Sequence, residues 1–265
     1  GEGYEEVWIR DLNTFIILAL EVRPHEEVKE QLRRFCQFQG TDGNIVDGFV
    51  PEAKAGVGYK YIRSELAPGF LAHKNTVETD QETSLVQAVA KYVLETGDRA
   101  FLEERVGEKP VLARLVWAME FLLGHRMSAA HGLLWGGTTA DWGDVQPEHP
   151  WGVVLDESSH RAIDIYDNAM FLIALRDLMG LLPEGEARER WQRVHAEVRA
   201  KVREHLWDAV RQKFIPHVYL EDSPFPADFD ESAIHYHGGT AVAIEAGLLT
   251  RAEISAVLNQ MRENV

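Results

Sequence analysis

Four stretches of this chain place apolar residues three and four apart, and nothing alternates them in twos over a comparable length. Residues 83–96 carry Leu85, Val89, Tyr92 and Val93 on one stripe; 111–124 carry Leu112, Leu115, Val116, Met119 and Leu122. Residues 187–207 carry Trp191, Val194, Val198, Val202 and Leu206, and the final segment carries Ile254, Val257, Leu258 and Met261. Thr79 and Glu82 have capping-box spacing before the first stripe, and Thr250 and Glu253 have it before the last. Gly97 stands where a helix C-cap is expected. Composition adds helices at 11–22, 26–38, 163–181 and 239–248. The reading is an all-α chain of about eight helices in pairs. One short strand is expected at 213–220, held to a sheet edge by Pro216.

The 43 acidic residues against 27 basic ones give a net charge of −16. Such a surface repels nucleic acid and anionic lipid, so neither partner is expected. No apolar run reaches the roughly 18 residues of a membrane span. The single Cys36 excludes an intrachain disulfide and a multi-cysteine zinc site, and its place beside Phe35 and Phe38 makes it a buried structural thiol. That lone thiol, with no basic-then-apolar leader at the start, points to a cytoplasmic location. No linker divides residues 1–265, which read as a single domain.

Connections at 40–78 and 125–161 are long and rich in Gly, Pro, Asp and His, and loops of that length are more often functional than idle. Paired helices with all long loops on one rim suggest a toroid of helical hairpins, whose rim gathers helix starts around one pocket. Four clusters suit that place. Trp8, Arg10 and Asp11 open the first helix; Arg and Asp together offer a forked donor and a bidentate acceptor for neighbouring sugar hydroxyls. Asp80 follows Thr79 without a capping duty. In Gly136-Gly137-Thr138-Thr139-Ala140-Asp141-Trp142-Gly143-Asp144 a carboxyl lies beside an indole, a setting that raises its pKa and suits a general acid. Asp164, Tyr166, Asp167 and Asn168 enter one apolar helix, and His235, Tyr236 and His237 enter another before Gly238-Gly239.

Each cluster has a plainer reading: a cap with a surface ion pair, a solvated acidic helix start, an Asx turn, packed loop histidines. His235 and His237 are two apart, with no i,i+4 partner, so no metal site is expected. Asp42-Gly43-Asn44 lacks the closing Glu of a calcium loop and reads as a turn. No Gly-x-Ser-x-Gly elbow or phosphate-cradling glycine loop occurs.

In their order along the chain these clusters resemble the (α/α)6-barrel, or six-hairpin, glycosidases, and most of all the glucoamylase and amylo-α-1,6-glucosidase group. Neutral invertases and α-glucosidase relatives stand further off. The resemblance runs from Trp8 to about Leu249 and rests on order and spacing, since each motif is short. It implies a glycoside hydrolase that releases a terminal α-linked sugar, glucose foremost, by an inverting acid/base mechanism without a prosthetic group. Arg10 and Asp11 would grip the terminal sugar and Asp80 would line its subsite. Asp141 would be the general acid, with Trp142 and Trp8 as apolar walls. Tyr166, Asn168, His235 and His237 would come from the next two helix starts. Asp144 follows so closely that the acid could be three residues along. The family has six hairpins and about four are countable here, so the toroid is expected to be incomplete and the general base to lie beyond Val265. Glu231, the one late acid near a rim motif, is not assigned that role. Two other readings stay open: a non-hydrolytic carbohydrate-binding or scaffold domain, and a sugar phosphorylase, against which the acidic charge argues. Oligomeric state is not legible.

Overall fold

The computed structural model describes residues 6–56, 60–141 and 153–263. Eight α-helices run through them: α1 (Ile9–Val22), α2 (His25–Gln37), α3 (Asp80–Thr96), α4 (Val111–His125), α5 (Ile165–Leu181), α6 (Glu186–His205), α7 (His237–Glu245) and α8 (Arg251–Glu263). The periodic stripes thus all became helices, with boundaries moved by a turn or less. The chain forms two compact units. One comprises Gly1–Asn75, Asp80–His125 and Asp177–Glu184; the other comprises Thr76–Thr79, Arg126–Arg176 and Gly185–Val265. The chain passes between them at 75/76, 79/80, 125/126, 176/177 and 184/185, and such interleaving leaves no linker to be read from composition.

In the first unit α1 packs on α3, and α2 and α4 pack beside α3. The helix α2 shows why a stripe folds this way. Val28, Leu32, Phe35 and Cys36 recur at helical spacing and are buried, while Glu26 and Glu27 occupy its first turn. Each large apolar side chain so buried contributes about 1.5–3 kcal/mol. On α1, Ile9, Leu12, Ile16 and Leu20 are buried, whereas Phe15, Leu18 and Val22 are exposed. A three-stranded antiparallel sheet sits at the start of α1, with Gly48–Pro51 between Val7–Trp8 and Phe70–His73.

The second unit holds most of α5, together with α6, α7 and α8. From Ile165 to Leu175, α5 is buried on every face, as a helix apolar all round must be. Its small antiparallel sheet has Arg161–Ile163 between Gly136–Gly137 and Val218–Tyr219. The strand expected at 213–220 is two strands. Pro216, which has no N–H to give, separates Lys213–Phe214, paired with Trp207–Asp208, from the edge strand Val218–Tyr219.

One capping box forms and the other does not. Thr250 N–H donates to Glu253 at 2.8 Å, and Glu253 N–H returns to Thr250 Oγ1 at 3.3 Å. Glu82, by contrast, is buried, and its Oε1 accepts from the Ile45 N–H at 2.7 Å and from Lys74 at 2.8 Å. Tertiary partners outcompeted the local one. Gly97 ends α3 with φ +72° and donates to Val93 O, as expected.

Candidate functional site

In the first unit the clusters around Trp8 and Asp80 meet. Trp8 is the N-cap residue of α1, in extended conformation, and its indole lies edge-on to His73 with centroids 4.7 Å apart. Burial lowers the His73 pKa, opposed by Glu6, whose Oε1 stands 2.7 Å from Nε2. Arg10 leaves the first turn of α1 and donates Nε to Asp80 Oδ2. The Asp80 side chain is fully buried, and its Oδ1 accepts from Gln81 Nε2 at 3.0 Å. The expected Arg10 and Asp11 fork is therefore not what Arg10 builds. Its carboxylate partner comes from α3, and Asp11 is exposed. Adjacent residues on a helix point about 100° apart, so they rarely serve one ligand together.

In the second unit the starts of α5 and α7 come together around Asp141. This residue has φ +63°, a left-handed conformation uncommon outside glycine that draws attention to the position. The turn presents its carboxylate to the first turn of α7. Oδ2 accepts from the Gly238 N–H at 2.6 Å and Oδ1 from the Gly239 N–H at 2.7 Å. Both donors are end groups of α7 without a partner inside the helix, at its positive end. The approach is close because Gly239 lacks a side chain: a Cβ there would stand 2.7 Å from Ile165 Cγ2, 3.0 Å from Asp141 Oδ1 and 3.2 Å from the Tyr166 amide nitrogen. Burial pushes the Asp141 carboxyl above the usual range, and the two N–H groups pull in the opposite sense.

A hydrogen-bonded chain of side chains holds this turn. Tyr236, the N-cap residue of α7, donates its hydroxyl to Thr139 O at 2.7 Å and lies 3.2 Å from His217 Nε2. His217 Nδ1 stands 2.6 Å from Glu231 Oε1, which also accepts from the Tyr219 hydroxyl at 2.8 Å. His217 is buried, and the Glu231 carboxylate is held below its ordinary range because the hydrogen bonds from His217 and Tyr219 outweigh desolvation. Glu231 is thus committed to His217. His235 and His237, on either side of Tyr236, stack with centroids 5.8 Å apart. Among the described residues no three metal-ligating side chains cluster.

The start of α5 is drier still. Burial raises the Asp164 pKa well above the ordinary value, helped by the neighbouring Asp167, and Asp164 Oδ1 accepts the Asp167 N–H at 2.8 Å. Asp167 Oδ1 accepts the Thr79 N–H at 3.1 Å. The amide of Asn168 is spent on backbone: Oδ1 accepts from Leu134 N–H, and Nδ2 donates to Leu134 O and Asp164 O. Asn168 is fully buried and serves as a strap to the Leu133–Leu134 strand, which leaves its amide nothing for a sugar. Tyr166 is buried too, and its backbone lies against the start of α7. Trp142 and Asp144 lie outside the described residues. Tyr219 and Trp135 were not singled out by sequence reasoning; Trp135, directly before Gly136-Gly137, had the best signal.

The mostly helical architecture is of the α/α-toroid glycosidase class of fold. Solved structures of that class are similar to nearly the whole chain. A rhamnosidase from Klebsiella oxytoca with rhamnose bound superposes with a TM-score of 0.62 at 14% identity, over 98% of this chain and 42% of its own. A GH63 mannosylglycerate hydrolase from Thermus thermophilus, in complex with glucose, gives 0.63 at 14% over 97% and 69%. A GH78 family rhamnosidase of Bacillus gives 0.58 at 15% over 95% and 22%. The chain thus spans less than half the length of these two rhamnosidases. At such identities the likeness establishes the fold, and it does not single out the glucoamylase group. No protein-family model matches the sequence. No curated protein matches it either. Among the described residues no helix is long and apolar enough to cross a membrane.

Proposed function

We propose that this chain is part of a glycoside hydrolase that releases a terminal α-linked sugar, with glucose as the first substrate to test, and that the proton donor comes from the Asp141 turn. The observation that carries this reading is the half-buried Asp141 carboxyl, raised by desolvation and held at the meeting of two helix starts. A carboxyl whose pKa is raised keeps its proton to higher pH and can donate it to a leaving glycosidic oxygen. In the inverting form a second carboxylate would activate water from the opposite face, about 6.5–9.5 Å away. No cofactor takes part in such a step. In this reading Arg10, Asp11 and Asp80 contact sugar hydroxyls, Trp8 is an apolar wall, and His235 and His237 are further sugar-contacting side chains.

Turnover of α-glucosides, α-rhamnosides and mannosylglycerate by Asp141→Asn and Asp144→Asn tests the assignment. Loss of the acid is expected to lower kcat by about 10²–10⁴-fold. The activity of the wild type should decline as pH rises through the elevated Asp141 pKa, because the donor loses its proton there. Near-normal turnover by Asp141→Asn would remove it from the acid role, and loss in Asp144→Asn would move the role there. One observation favours a second reading, a sugar-binding domain without hydrolysis: both Asp141 oxygens already accept backbone N–H groups, as a structural clamp would. Saccharide binding without cleavage by the wild type would select it.

A further inference from the structure

A cleft of about 450 Å³ opens on the second unit, lined by Trp135, Leu155, the 156–159 turn, His160, Arg161 and Glu221. Its volume falls in the range of about 300–1,000 Å³ typical of small-molecule sites. The walls are fixed from several directions. Thr76 N–H donates to Val153 O at 3.0 Å, and Leu155 N–H donates to Thr76 Oγ1 at 2.7 Å. Asp156 Oδ1 gathers Ser158 N–H and Oγ, at 2.8 and 2.7 Å, into a closed turn. Thr138 N–H donates to His160 O at 3.1 Å, which ties the cleft to the strand leading into Asp141. Arg161 donates to Glu221 Oε1, and its guanidinium lies 5.3 Å from the Trp135 ring centre, with that of Arg126 at 4.7 Å.

We infer that this cleft is a binding subsite for a neutral sugar unit, with Trp135 as its apolar wall and the Arg161 and Glu221 pair as its hydrogen-bonding head. A sugar ring has an apolar C–H side and hydroxyls that both donate and accept. The lining holds both kinds of group: the indole and Leu155, and with them a guanidinium, two serine hydroxyls and three carboxylates. Asp156, Glu157 and Glu221 outnumber Arg161, so phosphorylated and uronic sugars are disfavoured. Asp141 is three residues beyond Thr138, a reach of about 11 Å at most. The choice of a sugar rests on the hydrolase reading, but the cleft is tested apart from it.

The experiment is calorimetric titration of wild type, Trp135→Ala and Glu221→Gln with maltotriose, isomaltose and methyl α-rhamnoside. Glucuronate and glucose 6-phosphate are the charged comparators. At least one neutral sugar should bind wild type, with affinity reduced about tenfold by Trp135→Ala, which forfeits buried apolar contact. Glu221→Gln should weaken it about fivefold through a lost charge-assisted hydrogen bond. Glu221 is exposed, so its variant should fold even where Trp135→Ala does not. Unchanged affinity in Glu221→Gln and in any folded Trp135→Ala overturns the proposal. So does equal binding of the charged sugars, or no binding of any neutral one at millimolar concentration. Binding through Trp135 by a wild type that cleaves nothing upholds the cleft while the hydrolase reading fails. Cleavage with a KM that neither variant alters does the reverse.

Discussion

Asp80 in the first unit and Asp141 in the second both stand at helix starts with carboxyls withdrawn from water, yet they are neutralised by different means. Asp80 has a full counter-charge: Arg10 reaches it from another helix, with Gln81 on its second oxygen. Asp141 has N–H dipoles from Gly238 and Gly239, and burial still pushes its pKa upward. Two backbone amides favour the ionised form and leave it able to take a proton. The first carboxyl is fixed by a charged side chain, and the second by backbone dipoles alone.

That contrast is broken most severely by removing the guanidinium. Arg10→Met removes the guanidinium from the fully buried Asp80 carboxylate, and breaking a buried pair on one side costs about 3–5 kcal/mol. Urea denaturation would read the loss. Replacing Asp80 as well, with an apolar residue, should recover a large part of it, because the stranded charge is then gone. A double variant no better than the single one would mean that Asp80 is not held by Arg10.

A smaller effect is expected where dipoles do the work. Gly239→Ala adds a Cβ that would meet Ile165 Cγ2 at 2.7 Å and Asp141 Oδ1 at 3.0 Å. Ile165 is fully buried and has nowhere to go, so overpacking should cost about 1–3 kcal/mol. The better helix propensity of alanine offsets at most about 1 kcal/mol of this. The expected net result is destabilisation, together with a displaced Asp141 and lower turnover if that carboxyl is the acid. A Gly239→Ala protein of unchanged stability and turnover would show that the close approach is not needed.

The helices were legible because a stripe of apolar residues at period 3.6 has one stable use, as α2 and α3 show. The places of Asp80 and Asp141, at a helix start and at a turn that feeds one, were legible too. Their partners were not. Nothing local says that Arg10 reaches across to α3 in preference to Asp11, or that Glu82 serves Ile45 and Lys74 in place of Thr79. Asn168 had the look of a binding residue, yet its amide is consumed by Leu134 and Asp164. The network of Tyr219, Glu231, His217 and Tyr236 joins residues up to 19 apart through tertiary folding, and no periodicity announces it. The two-unit division is equally silent, because the chain crosses it at several points without changing composition.

The finest form of the comparison lies in two threonines with the same sequence signature. Thr250 exchanges bonds with Glu253 at the start of α8, and Thr250→Ala should cost about 1 kcal/mol, the ordinary worth of an N-cap hydroxyl. Thr79 is buried before α3, its hydroxyl accepts and donates nothing, and the Glu82 it seemed to need is held elsewhere. Burying a hydroxyl without a partner is unfavourable, so Thr79→Val, which keeps the shape and drops the polar group, should be neutral or slightly stabilising. Thermal denaturation of the two variants side by side reads the difference, a few degrees for Thr250→Ala and none or a small gain for Thr79→Val. Equal losses would mean that the Thr79 hydroxyl finds a partner in solution and that the local cap competes with the tertiary one after all.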